Sequence, residues 1–345
     1  MASSPLVSAL GLSMPVLAAP MAGGPGIPDL VCAAARAGSL GFLAAGYKSP
    51  QALADEIAAV ARTGLPFGVN VFAPNPVPVD PAEFRRYADL IAVEAARYGI
   101  TLGAGTPRED DDHWQDKIEV LRSHPVPVIS FTFGIPAASE LAALRATGAL
   151  LIQTVTSAGE AAAAAEAGFD ALAVQASAAG GHSATLTPRS PVTDVPLTEL
   201  VATVRRSVDL PLIATGGLAT PADVAAAIQA GADVVAVGTV LMRSDEAATV
   251  AVHKAALVDP ACTATVLTRA FTGRPARALR NTFIERYDHL APSGYPALHY
   301  LTSPLRKAAA AAGDPERLHL WAGTGFRHAT AEPAAGILTR LAGQL

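Results

Sequence analysis

The segment 211–243 constrains the fold more than any other part of the chain, because it holds two apolar runs that each end in glycine. The first run stops at Gly216-Gly217 and the second at Gly238. Between them, Thr220 is followed by proline, and a hydroxyl before a first-turn proline is typical of a helix start. A strand, a helix and a second strand in this order predict one parallel βαβ unit.

The glycines at these two strand ends predict a site for an anion. Residues without a Cβ atom let the backbone N–H groups of Gly216-Gly217 and Gly238-Thr239 approach a ligand closely. In a (β/α)8 barrel the turns after strands seven and eight bind phosphate groups. The alternative is that the glycines only form tight turns. That alternative suits a single pair better, whereas two pairs that flank one βαβ unit favour phosphate.

The rest of the chain repeats the alternation of apolar runs and helical segments. The predicted strands cover residues 15–19, 40–45, 66–72, 126–133, 150–155, 170–175, 211–214 and 233–237. We interpret the apolar stretch 6–19 as the start of the first strand and not as a signal peptide, because the first basic residue is Arg36. A helix is predicted over 81–98, the segment before residue 125 is ambiguous, and the acidic run 109–112 is interpreted as a solvated helix start. Eight such units predict an α/β protein, a (β/α)8 TIM barrel.

The pattern changes after residue 242. A helix is predicted over 247–257, no clear period is visible over 273–321, and 333–345 is predicted to be helical. A long irregular stretch in a compact protein is usually a lid or a binding insertion. The sequence therefore predicts a barrel over 1–245, a small C-terminal cap over the barrel mouth at 246–330, and a closing helix packed on the barrel at 331–345.

Composition excludes several classes of partner. The chain has 345 residues and a formal net charge of −5, without a basic run, so no nucleic-acid or anionic membrane partner is indicated. No uncharged apolar stretch reaches membrane-spanning length. The two cysteines, Cys32 and Cys262, lie far apart without a metal-binding pattern, which predicts a reducing, cytoplasmic location and no metal site. We expect a monomer or a weak homodimer.

The sixth predicted strand leads into the residues that suggest chemistry. Gln175 is followed by Gly180-Gly181-His182, and a histidine at the carboxyl end of a barrel strand is well placed to be a general base with a pKa near working pH. The alternative is a histidine with a structural hydrogen bond. Asn70 and Gln175 would place two amides in the barrel mouth, where they suit the edge of a flavin ring. A phosphate site, two amides and a base favour flavin mononucleotide (FMN) over a sugar phosphate.

Several longer motifs resemble one known family. They are APMAGG at 19–24, GVNVFAP at 68–74, VQ followed by AGGH within 174–182, ATGGL and AGADVVAVGT within 214–239, and, in the cap, GRPARALRNTF and LWAGTGF. This set is similar to that of the nitronate monooxygenases, formerly called 2-nitropropane dioxygenases. The resemblance runs from the first strand into the cap.

The resemblance implies a TIM-barrel flavoenzyme with non-covalent FMN. Such an enzyme oxidises alkyl nitronates with molecular oxygen, releases nitrite and a carbonyl product, and needs no nicotinamide; whether it also uses neutral nitroalkanes stays open. His182 would take the α-proton of a nitroalkane or orient the nitronate, and Tyr295 and Lys307 would be cap residues near the flavin. The implied FMN-binding residues are Ala19, Pro20, Met21, Asn70, Gln175, Gly180, Gly181, Gly216, Gly217, Ala236, Val237, Gly238 and Thr239.

The sequence departs from the family pattern at four positions. Ala176, Ala178, Ser183 and Ala236 stand where Gly, Glu, Arg and Gln are common. Two alternatives therefore remain: an FMN- and NAD(P)H-dependent reductase of a quinone or an enoyl thioester, and a flavin-binding protein without turnover. The other histidines have no motif around them and are interpreted as surface or cap residues: His113, His124, His253, His289, His299, His319 and His328.

Overall fold

A computed structural model describes residues 5–103 and 105–344. Eleven strands are found in this part of the chain, and eight of them build one sheet. In chain order they are β1 (Val16–Ala18), β2 (Phe42–Ala44), β3 (Gly68–Phe72), β4 (Val128–Thr132), β5 (Leu150–Val155), β6 (Ala171–Gln175), β7 (Gly181–His182), β8 (Leu212–Thr215), β9 (Val234–Val237), β10 (Thr265–Thr268) and β11 (Ala276–Leu279).

The large sheet is a closed parallel barrel. Its strand order is β1-β9-β8-β6-β5-β4-β3-β2, and a parallel bridge between Ala18 and Gly41 joins the last strand to the first. Most residues of these strands are buried, as expected for strands that face side chains inside the barrel and helices outside it. The predicted (β/α)8 TIM barrel is confirmed, and its carboxyl ends form one common face.

The helices surround the barrel and build the cap. Among the described residues they are α1 (Pro5–Ala9), α2 (Pro28–Arg36), α3 (Pro50–Ala61), α4 (Pro81–Ala96), α5 (Trp114–Ser123), α6 (Ala138–Arg145), α7 (Ala158–Glu166), α8 (Leu197–Ser207), α9 (Pro221–Gln229), α10 (Ala251–Ala256), α11 (Thr282–Tyr287), α12 (Ala297–Ala311) and α13 (Ala334–Ala342). As the sequence predicts, Thr220 caps α9: its hydroxyl accepts the Asp223 N–H at 3.2 Å, and Asp223 Oδ2 accepts the Thr220 N–H at 2.8 Å. None of the helices described is both long and apolar enough to cross a lipid bilayer.

The assignment of the first strand and of the barrel helix after β3 needs correction. The stretch 6–19 is not strand from its start, because it contains most of α1 before β1. The helix predicted over 81–98 exists as α4, but it packs in the cap, where Phe84 and Ile91 share a core with Phe283 and Leu298. The ambiguous segment forms α5, which contacts α3 and α6. This helix takes the place in the barrel ring that the sequence assigns to α4.

The cap has more regular structure than the sequence predicts. β7, β11 and β10 form a small antiparallel sheet, with His182 opposite Ala276. The prediction that 273–321 has no regular structure is wrong, since it contains β11, α11 and α12. Pro304 inside α12 and the shortness of β11 hide their periodicity. The division at residues 245 and 330 stays a prediction, while α13 contacts α2, α9 and β1.

The acidic run is also more than a solvated helix start. Lys117 of α5 is 1% exposed, and its Nζ lies 2.7 Å from Asp112 Oδ2 and 3.0 Å from the Ala45 carbonyl oxygen. The Asp112 carboxylate also accepts the backbone N–H of Tyr47 at 3.1 Å. This buried ion pair fixes the loop after β2 to α5, beside the barrel mouth.

Candidate active site

A cavity of about 1080 Å³ lies at the carboxyl ends of the barrel strands. The barrel forms one side of it, through residues at the ends of β1, β3, β6, β8 and β9. Residues of α12 and of the segment 318–325 form the other side. The cavity therefore lies between the barrel and the cap, where (β/α)8 enzymes have their active sites.

At one end of the cavity two glycine turns follow β8 and β9. Gly216 and Gly217 have φ angles of +113° and +79°, which other residues rarely adopt. A Cβ atom on Gly217 would lie 3.0 Å from Ala178 Cβ and 3.2 Å from Thr324 Oγ1. No hydrogen bond among the described residues uses the backbone N–H of Gly216, Gly217 or Gly238. These free N–H groups fit an anionic group such as a phosphate.

A cap segment closes over the same turns. The N–H of Thr324 donates to the Ala178 carbonyl at 3.0 Å, and the N–H of Gly323 donates to Thr239 Oγ1 at 3.0 Å. A Cβ atom on Gly180 would lie 2.6 Å from the Gly323 nitrogen. Gly180 is therefore needed for close packing between the AGGH turn and the cap, and the Thr239 hydroxyl already has a partner.

The two predicted amides line the cavity, but both also bind protein atoms. Gln175 Oε1 accepts the Ala184 N–H at 2.8 Å, and its Nε2 donates to the His182 carbonyl at 3.2 Å. Asn70 Nδ2 donates to Ser130 Oγ at 2.9 Å, while Asn70 Oδ1 has only a 3.5 Å contact with the Thr132 hydroxyl. Gln175 thus fixes the turn that carries His182, and Asn70 keeps an acceptor for a ligand.

His182 lies on β7, where pairing with β11 fixes its backbone. Its Nε2 is 2.9 Å from the Thr272 hydroxyl, and the rings of Tyr295 and Trp321 lie within 5.6 Å of the imidazole, centroid to centroid. Burial, followed by the charges of Arg274 and Arg306, lowers the pKa of His182 from 6.5 to about 3. The prediction of a pKa near working pH is wrong in this structure, and the imidazole is neutral.

The structure brings nearly all the sequence-predicted site residues to this one cavity. Tyr295 differs: it lines a smaller neighbouring cavity of about 280 Å³, although its ring contacts His182. The predicted residues that line the main cavity are Ala19, Pro20, Met21, Asn70, Gln175, Gly180, Gly181, His182, Gly216, Gly217, Ala236, Val237, Gly238, Thr239 and Lys307.

Sequence patterns did not identify several residues that line the cavity. His253, His299 and His319 lie in the predicted cap, as interpreted, but they also line the cavity. Burial lowers the pKa of His253 to about 4 and holds the pKa values of His299 and His319 well below the usual range. Arg306 and Trp321 complete this wall. LWAGTGF points to Trp321, whereas nothing marks Arg306 among the arginines of the chain.

The charge of the cavity is opposite to that of the whole protein. The described lining residues include Arg108, Arg306 and Lys307 but no aspartate or glutamate. The chain as a whole has a formal net charge of −5. A concave, partly desolvated site with cations and no carboxylates favours anionic ligands.

The barrel and the cavity at its carboxyl ends define a (β/α)8-barrel enzyme. The family model for nitronate monooxygenase matches residues 4–342, and the chain belongs to this family of flavin-dependent oxidoreductases. The recognition from sequence motifs is thereby confirmed.

Individual relatives agree with the family assignment. A probable nitronate monooxygenase of Staphylococcus aureus (strain Newman) is 35% identical and covers 99% of this chain and 96% of its own length. The structure of nitroalkane oxidase from Streptomyces ansochromogenes is similar with a TM-score of 0.93 and 44% identity, over 99% of this chain and 98% of that chain. FabK from Thermotoga maritima is more distant, with a TM-score of 0.77 and 27% identity over 98% and 94% of the two chains.

Proposed function

We propose that this protein oxidises alkyl nitronates with molecular oxygen on bound FMN and releases nitrite and a carbonyl product. One observation carries the proposal: a single cavity combines free backbone N–H groups at two glycine turns, a neutral histidine, and cations without carboxylates. A nitronate and a phosphate are both anions, so this distribution of charge suits the pair. The family membership and the nitroalkane oxidase relative support the same chemistry.

The phosphate and the ring of FMN each match a different part of the cavity. The N–H groups of Gly216, Gly217 and Gly238 would bind the phosphate, and Asn70 Oδ1 would accept a hydrogen bond from the ring. The cavity volume of about 1080 Å³ is at the upper end of the range usual for ligand pockets, which leaves room for a small substrate beside the cofactor. Bound flavin would supply the redox chemistry, taking electrons from the substrate and passing them to oxygen.

The state of His182 favours nitronates over neutral nitroalkanes. A base whose conjugate acid has a pKa of about 3 is a weak acceptor for a carbon-bound proton. A neutral imidazole can instead hold a nitronate in place if its Nδ1–H donates to the nitronate while Nε2 accepts a hydrogen bond from the Thr272 hydroxyl. We therefore propose an orienting role for His182, with a preformed nitronate as the preferred substrate.

Absorption spectroscopy under anaerobic conditions tests the function directly. The purified protein should show a flavin spectrum, with FMN released on denaturation, and a preformed nitronate should bleach it within one turnover. Admission of oxygen should then restore the spectrum and yield nitrite. A colourless protein that does not bind added FMN would contradict the cofactor, and a stable flavin spectrum in the presence of nitronate would contradict the reaction.

A reductase is the second candidate, because FabK shares the fold at 27% identity. Rapid anaerobic bleaching by NADH or NADPH, followed by reoxidation with a quinone or an enoyl thioester, would favour this function. We expect no such bleaching. The cavity offers no further observation that points to a nicotinamide.

A further inference from the structure

Arg306 of α12 is a buried cation that has no role in the function proposed above. It is 5% exposed, it lines the cavity, and no ion pair among the described residues includes it. A buried charge without a counter-ion is costly to keep, since removing an ion from water costs several kcal/mol. Where such a residue also lines a cavity, it points to a counter-ion that arrives with a ligand.

The hydrogen bonds of Arg306 leave one N–H group of its guanidinium without an acceptor. Nε–H donates to Thr302 Oγ1 at 3.0 Å, and Nη1 donates to His319 Nε2 at 3.0 Å. Nη2 donates to His299 twice, to Nδ1 at 3.3 Å and to the carbonyl oxygen at 2.8 Å. A guanidinium has five N–H groups. These contacts use four of them, so one N–H on Nη1 has no acceptor among the described residues.

The same contacts fix the state of both histidines. A guanidinium can only donate, so His299 Nδ1 and His319 Nε2 must be acceptors, and each ring carries its proton on the other nitrogen. The pKa values of both histidines are held well below the usual range by burial and by the charge of Arg306. His319 Nδ1 is buried without a partner. Arg306 is thus surrounded by neutral groups, and its positive charge is uncompensated.

This charge lies on the same wall as His182. The ring of His319 lies 5.2 Å from that of Trp321, and Trp321 lies 5.4 Å from His182, centroid to centroid. Arg306 also contributes to the lowered pKa of His182. The glycine turns that fit the phosphate follow β8 and β9, whereas Arg306 belongs to the cap.

A second buried arginine, Arg274, has only structural contacts and can be compared with Arg306. Arg274 is fully buried, and its guanidinium donates to the carbonyl oxygens of Ser183, Asn75 and Thr185. It stacks 3.9 Å above the ring of Phe133 and does not line the cavity. Arg274 therefore fixes backbone, while Arg306 presents charge to the cavity.

We propose that Arg306 binds the anionic oxygen atoms of the substrate and so makes the enzyme select nitronates over neutral nitroalkanes. The inference rests on the proposed function for the identity of the anion. His299 and His319 are positioning residues, which hold the guanidinium without neutralising it. Neutral partners are required for this role, because a carboxylate in either place would cancel the charge.

Steady-state kinetics of the flavin-loaded protein test the proposal. Arg306→Met should raise KM for ethyl nitronate by about tenfold or more, the size of a lost charge-assisted hydrogen bond, with a much smaller change for neutral nitroethane. Arg306→Lys should recover part of the loss, since it keeps the charge. The matched control is Arg280→Met, because Arg280 is an exposed cap arginine outside the cavity lining. An unchanged nitronate KM in Arg306→Met, or equal losses for both substrates, would overturn the proposal.

Nitrate, an inert planar anion, separates this proposal from the proposed function. Titration of the flavin-loaded parent with nitrate should perturb the flavin spectrum, and Arg306→Met should weaken that binding about tenfold or more. If the parent binds nitrate through Arg306 but does not oxidise nitronates, the function is wrong and the anion site stands. Should Arg306→Met fail to fold, a crystal structure of the parent with nitrate decides: an oxygen on Arg306 Nη1 supports the site, and nitrate absent or bound elsewhere overturns it.

Discussion

The two ends of the cavity offer different groups to a negatively charged ligand. At the barrel end, Gly216-Gly217 and Gly238 offer backbone N–H groups, which carry no titratable proton. At the cap end, Arg306 and neutral histidines offer side chains, whose charge depends on burial and on neighbours. The barrel end is built from one contiguous stretch of sequence, and the cap end joins residues from distant segments. The difference teaches that the proposed cofactor end depends on backbone shape, whereas the proposed substrate end depends on electrostatics.

The largest effect is expected from breaking the barrel end. Gly217→Asp places a side chain at a φ angle of +79° and a carboxylate beside the proposed phosphate site. Strain and repulsion together should weaken FMN binding about 100-fold or more. Flavin content after gel filtration measures this loss. Gly64→Asp is the matched control, because Gly64 has a φ angle of +71° in an exposed turn with nothing near its Cβ position. Full flavin content in Gly217→Asp would contradict the phosphate site.

The next effect concerns the residue between the two ends. His182→Ala should lower kcat/KM for ethyl nitronate about tenfold, because a hydrogen bond that orients the substrate is lost. Since burial holds the pKa of His182 near 3, we expect a loss of similar size with neutral nitroethane. A much larger loss with nitroethane would instead identify His182 as a base, and no loss with either substrate would remove it from the mechanism.

Acid should destabilise the fold through the buried histidines that line the cavity. His182, His253, His299 and His319 have lowered pKa values in the fold, so below pH 6.5 the unfolded chain binds protons that the folded chain does not. The contribution of these histidines to the free energy of unfolding is therefore complete above pH 6.5. It falls as the pH drops toward 4, by up to about 1.4 kcal/mol per pH unit for each histidine. Urea midpoints between pH 7.5 and 5 measure this slope.

One variant isolates a single histidine in that slope. His253→Gln keeps a donor for the Trp321 carbonyl, which lies 3.1 Å from His253 Nε2, and removes the titrating group. The urea midpoint of this variant should fall less steeply below pH 6.5 than that of the parent. If the urea midpoint of His253→Gln depended on pH as steeply as that of the parent, the His253 ring would be protonated in the folded state.

The smallest effect is expected at the edge of the cap end. Lys307 lines the cavity next to Arg306 in the sequence, but it is exposed. Water and salt screen such a charge, so Lys307→Met should raise the nitronate KM by about threefold or less, and the effect should vanish at high ionic strength. An effect as large as that of Arg306→Met would mean that the substrate anion lies at the mouth of the cavity.

Features that depend on contiguous backbone could be predicted from the sequence. The turns after β8 and β9 could be predicted because glycine and the Thr220 cap leave local signals. The assignment of α4 to the barrel failed because an amphipathic helix packs equally well on a sheet or in a cap, and its own pattern does not tell which. The predicted pKa of His182 was wrong because the burial that lowers it depends on residues about 90 positions away in the sequence, near Thr272.

By itself, the sequence determined the alternation of strands and helices, the glycine turns and the motifs of the family. These depend on residues close together in the chain, whose conformational preferences act locally. Only the tertiary structure decided that Arg306 faces a cavity without carboxylates, that three further histidines line it, and that His182 is neutral. Burial and charge compensation are sums over neighbours from the whole chain, so no single stretch of residues contains them.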